Sequence, residues 1–137
     1  MFLCSWMYIL LLPILSYDIW FFISHLLLHS NLLYKYHCIH HSVDPYTMTY
    51  VDTYTGHWIE DVLQSAGFLF PYAFYNYTVL DTAIILFFLN ARGMLRHDIR
   101  MTWLIGNHHV LHHKHVNYNF GEYWIDCLCG TLYIEDA

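Results

Sequence analysis

At 137 residues the chain has the length of one domain, but its composition excludes an ordinary soluble one. It is 58% apolar and 20% aromatic, and its 12% of charged residues is about half the usual share. The net charge of −6 leaves only 5 Lys and Arg, too few for a nucleic-acid surface. Cys4, Cys38, Cys127 and Cys129 contain no CxxC pair. That argues against a zinc ribbon, and all four are read as reduced, buried thiols.

The opening run carries one charge, Asp18, and one helix breaker, Pro13, and stays apolar to Leu28. It is long enough to span a bilayer core, which takes about 20 residues. It lacks the basic start and small-residue cleavage site of a signal peptide and is expected to remain on the protein. Pro13 is expected to kink this helix, or to split it into an anchor and a second helix from Asp18. Two histidine islands follow, His25 and His29 as HxxxH, then His37, His40 and His41 as HxxHH. A polar connector from Ser42 to Gly56 comes next, with Asp44-Pro45 marking a turn. It ends in GHWIED, where Glu60 follows His57 by three residues. That spacing suits either a ligand with a supporting carboxylate or a helix start with acids in its first turn.

Residues 62–95 hold two further apolar stretches separated by Tyr75-Asn76-Tyr77. Each is short for a full span, and together they predict a hairpin with its tyrosine-rich tip at the far interface. The sequon Asn76-Tyr77-Thr78 lies too close to that interface to be used. All five bases, Lys35, Arg92, Arg96, Arg100 and Lys114, lie beside the histidine islands and none at the tip. The positive-inside rule therefore sets the histidine face in the cytoplasm.

The remaining islands are His97 and a second HxxHH at His109, His112 and His113, adjoined by His108 and His115. Residues three or four apart on a helix differ by about 60° or 40° in direction. His25 with His29, and His109 with His112 and His113, are therefore each expected to point at one spot. Neutral imidazole is the commonest metal-ligating side chain, and helical bundles build metal sites from such inward clusters. Two metals with four or five ligands each need about eight to ten donors. His25, His29, His37, His40, His41, His97, His109, His112 and His113 supply nine. Nitrogen donors suit Fe, Zn, Cu and Ni alike. His57, His108, Glu60, Asp98, Asn119 and Asp126 are candidates either to ligate or to accept the ligands' second N–H. Asp126 is read chiefly as bracing a helix end, and His115 as a bystander.

With both HxxHH boxes in view, the chain from about Asp18 to Thr131 resembles the fatty acid hydroxylase / sterol desaturase superfamily, integral-membrane di-iron oxidoreductases. The resemblance rests on the three boxes in order, on Asn119-Phe120-Gly121 separated from the last by five residues, and on Asp126 with Gly130-Thr131. GHWIED resembles the family's H-P-x-E element with Trp58 in place of proline, and Arg96-His97 its isolated histidine. Gly93 stands where some members carry another histidine. Only 24 residues precede the first box, which suggests a minimal or truncated member.

The resemblance implies an all-α fold over residues 1–137, one membrane-embedded helical base with a cytoplasmic helical cap. Apolar helices are expected at about 2–29, 59–74 and 78–95, and histidine boxes at 25–41 and 97–113. It implies two Fe ions, which Zn can replace, and dioxygen as co-substrate. The reaction it implies is hydroxylation or desaturation of a lipid, a sterol or a fatty acyl chain. No dinucleotide glycine fingerprint occurs, so electrons would come from a b-type cytochrome or a reductase. A multi-pass setting is expected in the endoplasmic reticulum, with a bacterial inner membrane as the alternative. Two rival readings are a non-catalytic metal-binding membrane protein for zinc transport or storage, and a bis-histidine haem protein.

Overall fold

The computed structural model describes residues 2–135, with side chains from Leu10 onward. The fold is all-α, with no strand among the described residues. Helix α1 spans Phe2–Leu28 and runs unbroken through Pro13, so the chain is not split at Asp18. Its stretch Leu10–Leu28 is the one helix among the described residues long and apolar enough to cross a membrane. At 19 residues it reaches roughly 28 Å, the thickness of a bilayer core.

Two faces of α1 explain how it is used. Leu11, Leu15, Ile19, Ile23 and Leu27 recur every four residues and are exposed. Asp18, Phe22 and His25 lie at helical spacing on a separate, buried face. That inner face packs on α3 (Trp58–Ser65) and on the 3-10 segment Ala66–Ala73. The Trp20 indole N–H donates to Leu63 O at 2.6 Å, and Ser16 Oγ donates to Gly67 O at 2.7 Å. Gly67 makes this approach sterically feasible, because a Cβ there would lie 2.6 Å from Trp20 Cβ. The stretch expected as one helix over about 59–74 is thus α-helical only to Ser65 and continues as 3-10. Pro71 supplies no backbone N–H, and Gly67 lowers helix propensity at the changeover.

Helix α4 (Val79–His97) starts at a reciprocal cap in which Thr78 accepts from the Asp81 N–H while Asp81 accepts from the Thr78 N–H. Asp81, Ile85, Leu89 and His97 bury one stripe of α4, while Phe87 and Phe88 are exposed. Arg92 reaches from α4 to Asp18 of α1 and, at 3.1 Å, to Glu122. Glu122 also meets Arg96. An acid on the apolar helix is thereby paired rather than isolated in a low-dielectric setting. The shorter helices are α2 (Tyr34–His37), α5 (Thr102–Ile105), α6 (His108–His115) and α7 (Tyr123–Cys129).

The cysteine expectation is corrected in part. Cys38, Cys127 and Cys129 are free, but all three are exposed. On α7 the inward positions go to Ile125 and Asp126, which turns both cysteines outward. The Cys4 side chain lies outside the described residues.

Candidate metal centre

Nine imidazoles from four stretches of chain converge. His25, His29, His37, His41 and His112 form one group, and His40, His97, His109 and His113 a second. Within each group the ligating nitrogens lie within 4.8 Å of one another. The groups adjoin, with the His41 and His113 ring centroids 4.8 Å apart. These are the nine histidines that the boxes single out.

The distribution differs from the single-centre expectation for the last box. His109 and His113 enter the four-membered group, and His112 the five-membered one. The second box is shared the opposite way, His37 and His41 to the larger group and His40 to the smaller. Helical geometry accounts for the last box, which lies on α6, whereas in the second box His37 ends α2 and His40 and His41 stand in the 3-10 turn that follows. Residues i and i+4 diverge by about 40°, but i+3 and i+4 differ by about 100°, so one turn serves two neighbouring centres.

The ring nitrogens are sorted by their partners. On the outer side, His25 Nδ1–H donates to Phe120 O at 2.5 Å and His112 Nδ1–H to Tyr118 O at 2.6 Å. His37 Nδ1–H donates to Glu60 Oε2 at 2.8 Å, and His40 Nδ1–H to Thr55 O at 2.7 Å. His97 Nδ1–H faces Gly93 O at 2.8 Å and Thr53 Oγ1 at 2.6 Å. Each of these rings, when neutral, therefore has its proton on Nδ1 and a bare lone pair on Nε2.

Those lone pairs face one another. His25 Nε2 lies 2.9 Å from His37 Nε2 in the larger group, and His40 Nε2 lies 3.1 Å from His97 Nε2 in the smaller. Neither pair has a proton to share. His41 Nε2 is likewise 3.0 Å from His37 Nε2 and 3.1 Å from His112 Nε2. His109 Nε2 lies 3.0 Å from His97 Nε2, and His113 Nε2 3.1 Å from His40 Nε2. Nitrogens bound about 2.1 Å from one ion, at right angles, stand roughly 3 Å apart. A cation in each group resolves the repulsion, so the donor set fits metal ions.

Electrostatics favour the same protonation state. Burial, reinforced by neighbouring imidazoles, holds His41 and His97 down to about 3. It pushes His37, His109, His112 and His113 well below the usual histidine range too. His40 is lowered by burial as well. Neutral imidazole is the form that ligates.

The other sequence candidates stand apart from both groups. Glu60 comes nearest, buried, holding His37 and lying 3.8 Å from His40 Nδ1. His57 caps α3, its Nδ1 accepting from the Ile59 N–H at 3.2 Å. Asp98 accepts from the Arg100 backbone and guanidinium. His108 donates to Asp126 Oδ2 at 2.9 Å. Asp126 also accepts from the Phe120 and Gly121 N–H groups and the Thr131 hydroxyl. Asn119 bonds the backbone of His108 and Tyr133. His115 packs against Tyr133, the rings tilted by 43° with centroids 4.2 Å apart. The carbonyls of Thr55, Gly93, Tyr118 and Phe120 were not anticipated, because a backbone acceptor leaves no mark on residue type.

A cavity of about 390 Å³ lies against the groups, between α1, α3 and α4. His40, His97 and His109 of the smaller group line it, but only His25 of the larger. Its apolar wall includes Phe21, Phe68, Leu86 and Leu89, and its polar wall Asp61, Gln64 and Asn90.

No curated protein and no solved structure matches the chain. Residues 10–131, which include all nine clustered histidines, match the family described as fatty acid hydroxylase, and the protein belongs to that family.

Proposed function

We propose that the protein hydroxylates or desaturates a lipid, a sterol or a fatty acyl chain, at a di-iron centre held by the nine histidines. The observation that carries this reading is the cavity set against the four-histidine group. A metal store needs ligands but no such chamber, and a bis-histidine haem site leaves most of the nine rings without a role. Bound iron supplies the activation of dioxygen needed to break an unactivated C–H bond, which acid–base side chains cannot do.

The chain's own residues orient and enclose. Glu60 and the carbonyls of Thr55, Gly93, Tyr118 and Phe120 keep Nε2 of five rings turned inward. Phe21, Phe68, Leu86 and Leu89 offer an apolar wall that excludes water from a hydrocarbon segment. Asp61, Gln64 and Asn90 offer hydrogen bonds to a polar group on the same molecule. In hydroxylation one oxygen atom enters the C–H bond and the other leaves as water, consuming two electrons and two protons. In desaturation both oxygen atoms leave as water for the same two added electrons. An external b-type cytochrome or reductase is the electron source.

The exposed stripe of α1 supports a membrane setting. Placement of the bases supports a multi-pass arrangement with a cytoplasmic histidine cap, in the endoplasmic reticulum or a bacterial inner membrane. All of residues 1–137 are assigned to this one membrane domain. The test is metal analysis of protein purified with iron available, combined with lipid profiling of the expressing host. About two iron ions per chain and a new hydroxylated or unsaturated lipid is the expected result, with the iron lowered to about one ion and the lipid lost in His112→Ala. Tightly held zinc with an unchanged lipid profile under iron and oxygen would favour storage instead.

A further inference from the structure

Two imidazoles of the five-histidine group take their orientation from one short piece of backbone. His25 donates to Phe120 O and His112 to Tyr118 O, two residues apart. That piece is fixed from behind. Asn119 is fully buried with φ of 60°, in the left-handed region. Its N–H donates to Thr131 O at 2.9 Å, and its side-chain amide donates to His108 O and Tyr133 O, each at 3.1 Å. Gly121 closes the segment on α1, where a Cβ would lie 3.0 Å from both Cβ and Cδ2 of Phe22, three residues before His25.

Asp126 gathers the segment. It is fully buried and accepts four hydrogen bonds: Phe120 N–H at 2.9 Å, Gly121 N–H at 2.8 Å, Thr131 Oγ1 at 2.6 Å and His108 Nε2 at 2.9 Å. Two of those donors flank the carbonyl that receives His25. Asp126 itself belongs to neither histidine group.

We propose that Asp126, aided by Thr131, is a positioning residue for the five-histidine metal site alone. By clamping the backbone of Phe120 and Gly121 it fixes the Phe120 and Tyr118 carbonyls. His25 and His112 then hold their protons on Nδ1 and turn Nε2 to the ion. No ring of the four-histidine group donates to the clamped carbonyls, since His40 and His97 lean on Thr55 and Gly93 instead. This role rests on the metal-binding reading above.

Cobalt(II) titration of the metal-free full-length protein, followed by its visible absorption, tests it. Wild type should bind two ions. Asp126→Asn places an amide N–H against a backbone N–H and should weaken one site about 10- to 100-fold. Its residual spectrum should match that of His112→Ala and not that of His113→Ala. Thr131→Ser keeps the hydroxyl and should bind as wild type, whereas Thr131→Val should shift the same site in the same direction. Thr131→Val carries the test if Asp126→Asn does not accumulate. Ile85→Ala, at a fully buried position of α4, should lower the melting temperature while leaving both ions bound. Two tightly held ions with a wild-type spectrum in Asp126→Asn would overturn the role alone, as would equal weakening of both sites. A wild-type chain that takes up no cobalt would overturn the metal reading itself.

Discussion

The five-histidine and four-histidine groups draw on the same boxes but are set in different surroundings. The larger group takes His25 from α1 and His29 from the turn just after it, and is backed by Glu60 and by the carbonyls of Tyr118 and Phe120. Among its members only His25 reaches the cavity. The smaller group takes none from α1, and three of its four rings line the cavity. A site with more ligands and little access is built to hold, and one with fewer ligands and an open side is built to receive. The two are nonetheless interlocked, because each HxxHH box gives rings to both.

The largest expected effect comes from separating the i+3 and i+4 positions of the last box. His112→Ala should empty the larger group and His113→Ala the smaller, each lowering bound metal from about two ions to about one, with loss of turnover. Metal analysis of the two variants, each read against the cobalt spectrum of the other, measures this. If both variants lose the same ion, the division into two groups is wrong.

Glu60 touches both groups and so measures how tightly they are coupled. Glu60→Gln keeps one carbonyl oxygen for His37 but puts an amide that cannot accept in place of the other oxygen. Metal affinity should fall by about 10- to 100-fold, more at the larger group, because the contact to His37 is 2.8 Å and that to His40 3.8 Å. Competition with a graded series of chelators gives the two affinities. Equal loss at both would show that Glu60 serves the centre as a whole.

Residue type and spacing made the nine ring donors legible and the apolar run made α1 so, while the all-α fold as a whole was implied by the resemblance that the boxes carry. The split of each box between two groups was not read from the spacing, although on α6 the angle of about 100° between i+3 and i+4 contains that of the last box. Carbonyl acceptors such as Thr55 O and Phe120 O depend on chain path, not on side chains, and had no signal to find. Apolar composition over 59–74 suggested a helix but could not show the 3-10 geometry that Gly67 and Pro71 impose. Cys127 and Cys129 misled because an apolar run was taken for a buried one, whereas α7 turns only Ile125 and Asp126 inward.

Gly67 allows the comparison to be probed through packing. α1 supplies His25, and the turn at its end His29, to the larger group, and neither supplies a ring to the smaller. Gly67→Ala puts a Cβ into Trp20 and must push α1 away from the 3-10 segment. Overpacking of this kind costs about 1–3 kcal/mol, visible as a lower melting temperature in detergent. The larger group should lose affinity while the smaller keeps it. Equal weakening of both would mean that α1 supports the whole centre.

His115 gives the smallest expected effect and sets the background for the others. It lies two residues beyond His113 on α6, about 200° around the helix, and belongs to neither group. Its ring packs at a tilt against Tyr133 instead. His115→Ala should keep both ions and nearly all turnover, at a stability cost within about 1 kcal/mol. His108→Ala should fall between this variant and the ligand variants. Its ring contacts no other imidazole of the centre but donates to Asp126, one of four bonds that hold the Phe120 segment. A modest weakening confined to the larger group is expected, read by the same cobalt titration. Loss of metal from His115→Ala as complete as from His112→Ala would mean that α6 does not present its histidines as described, and the assignment of rings to the two groups would have to be rebuilt.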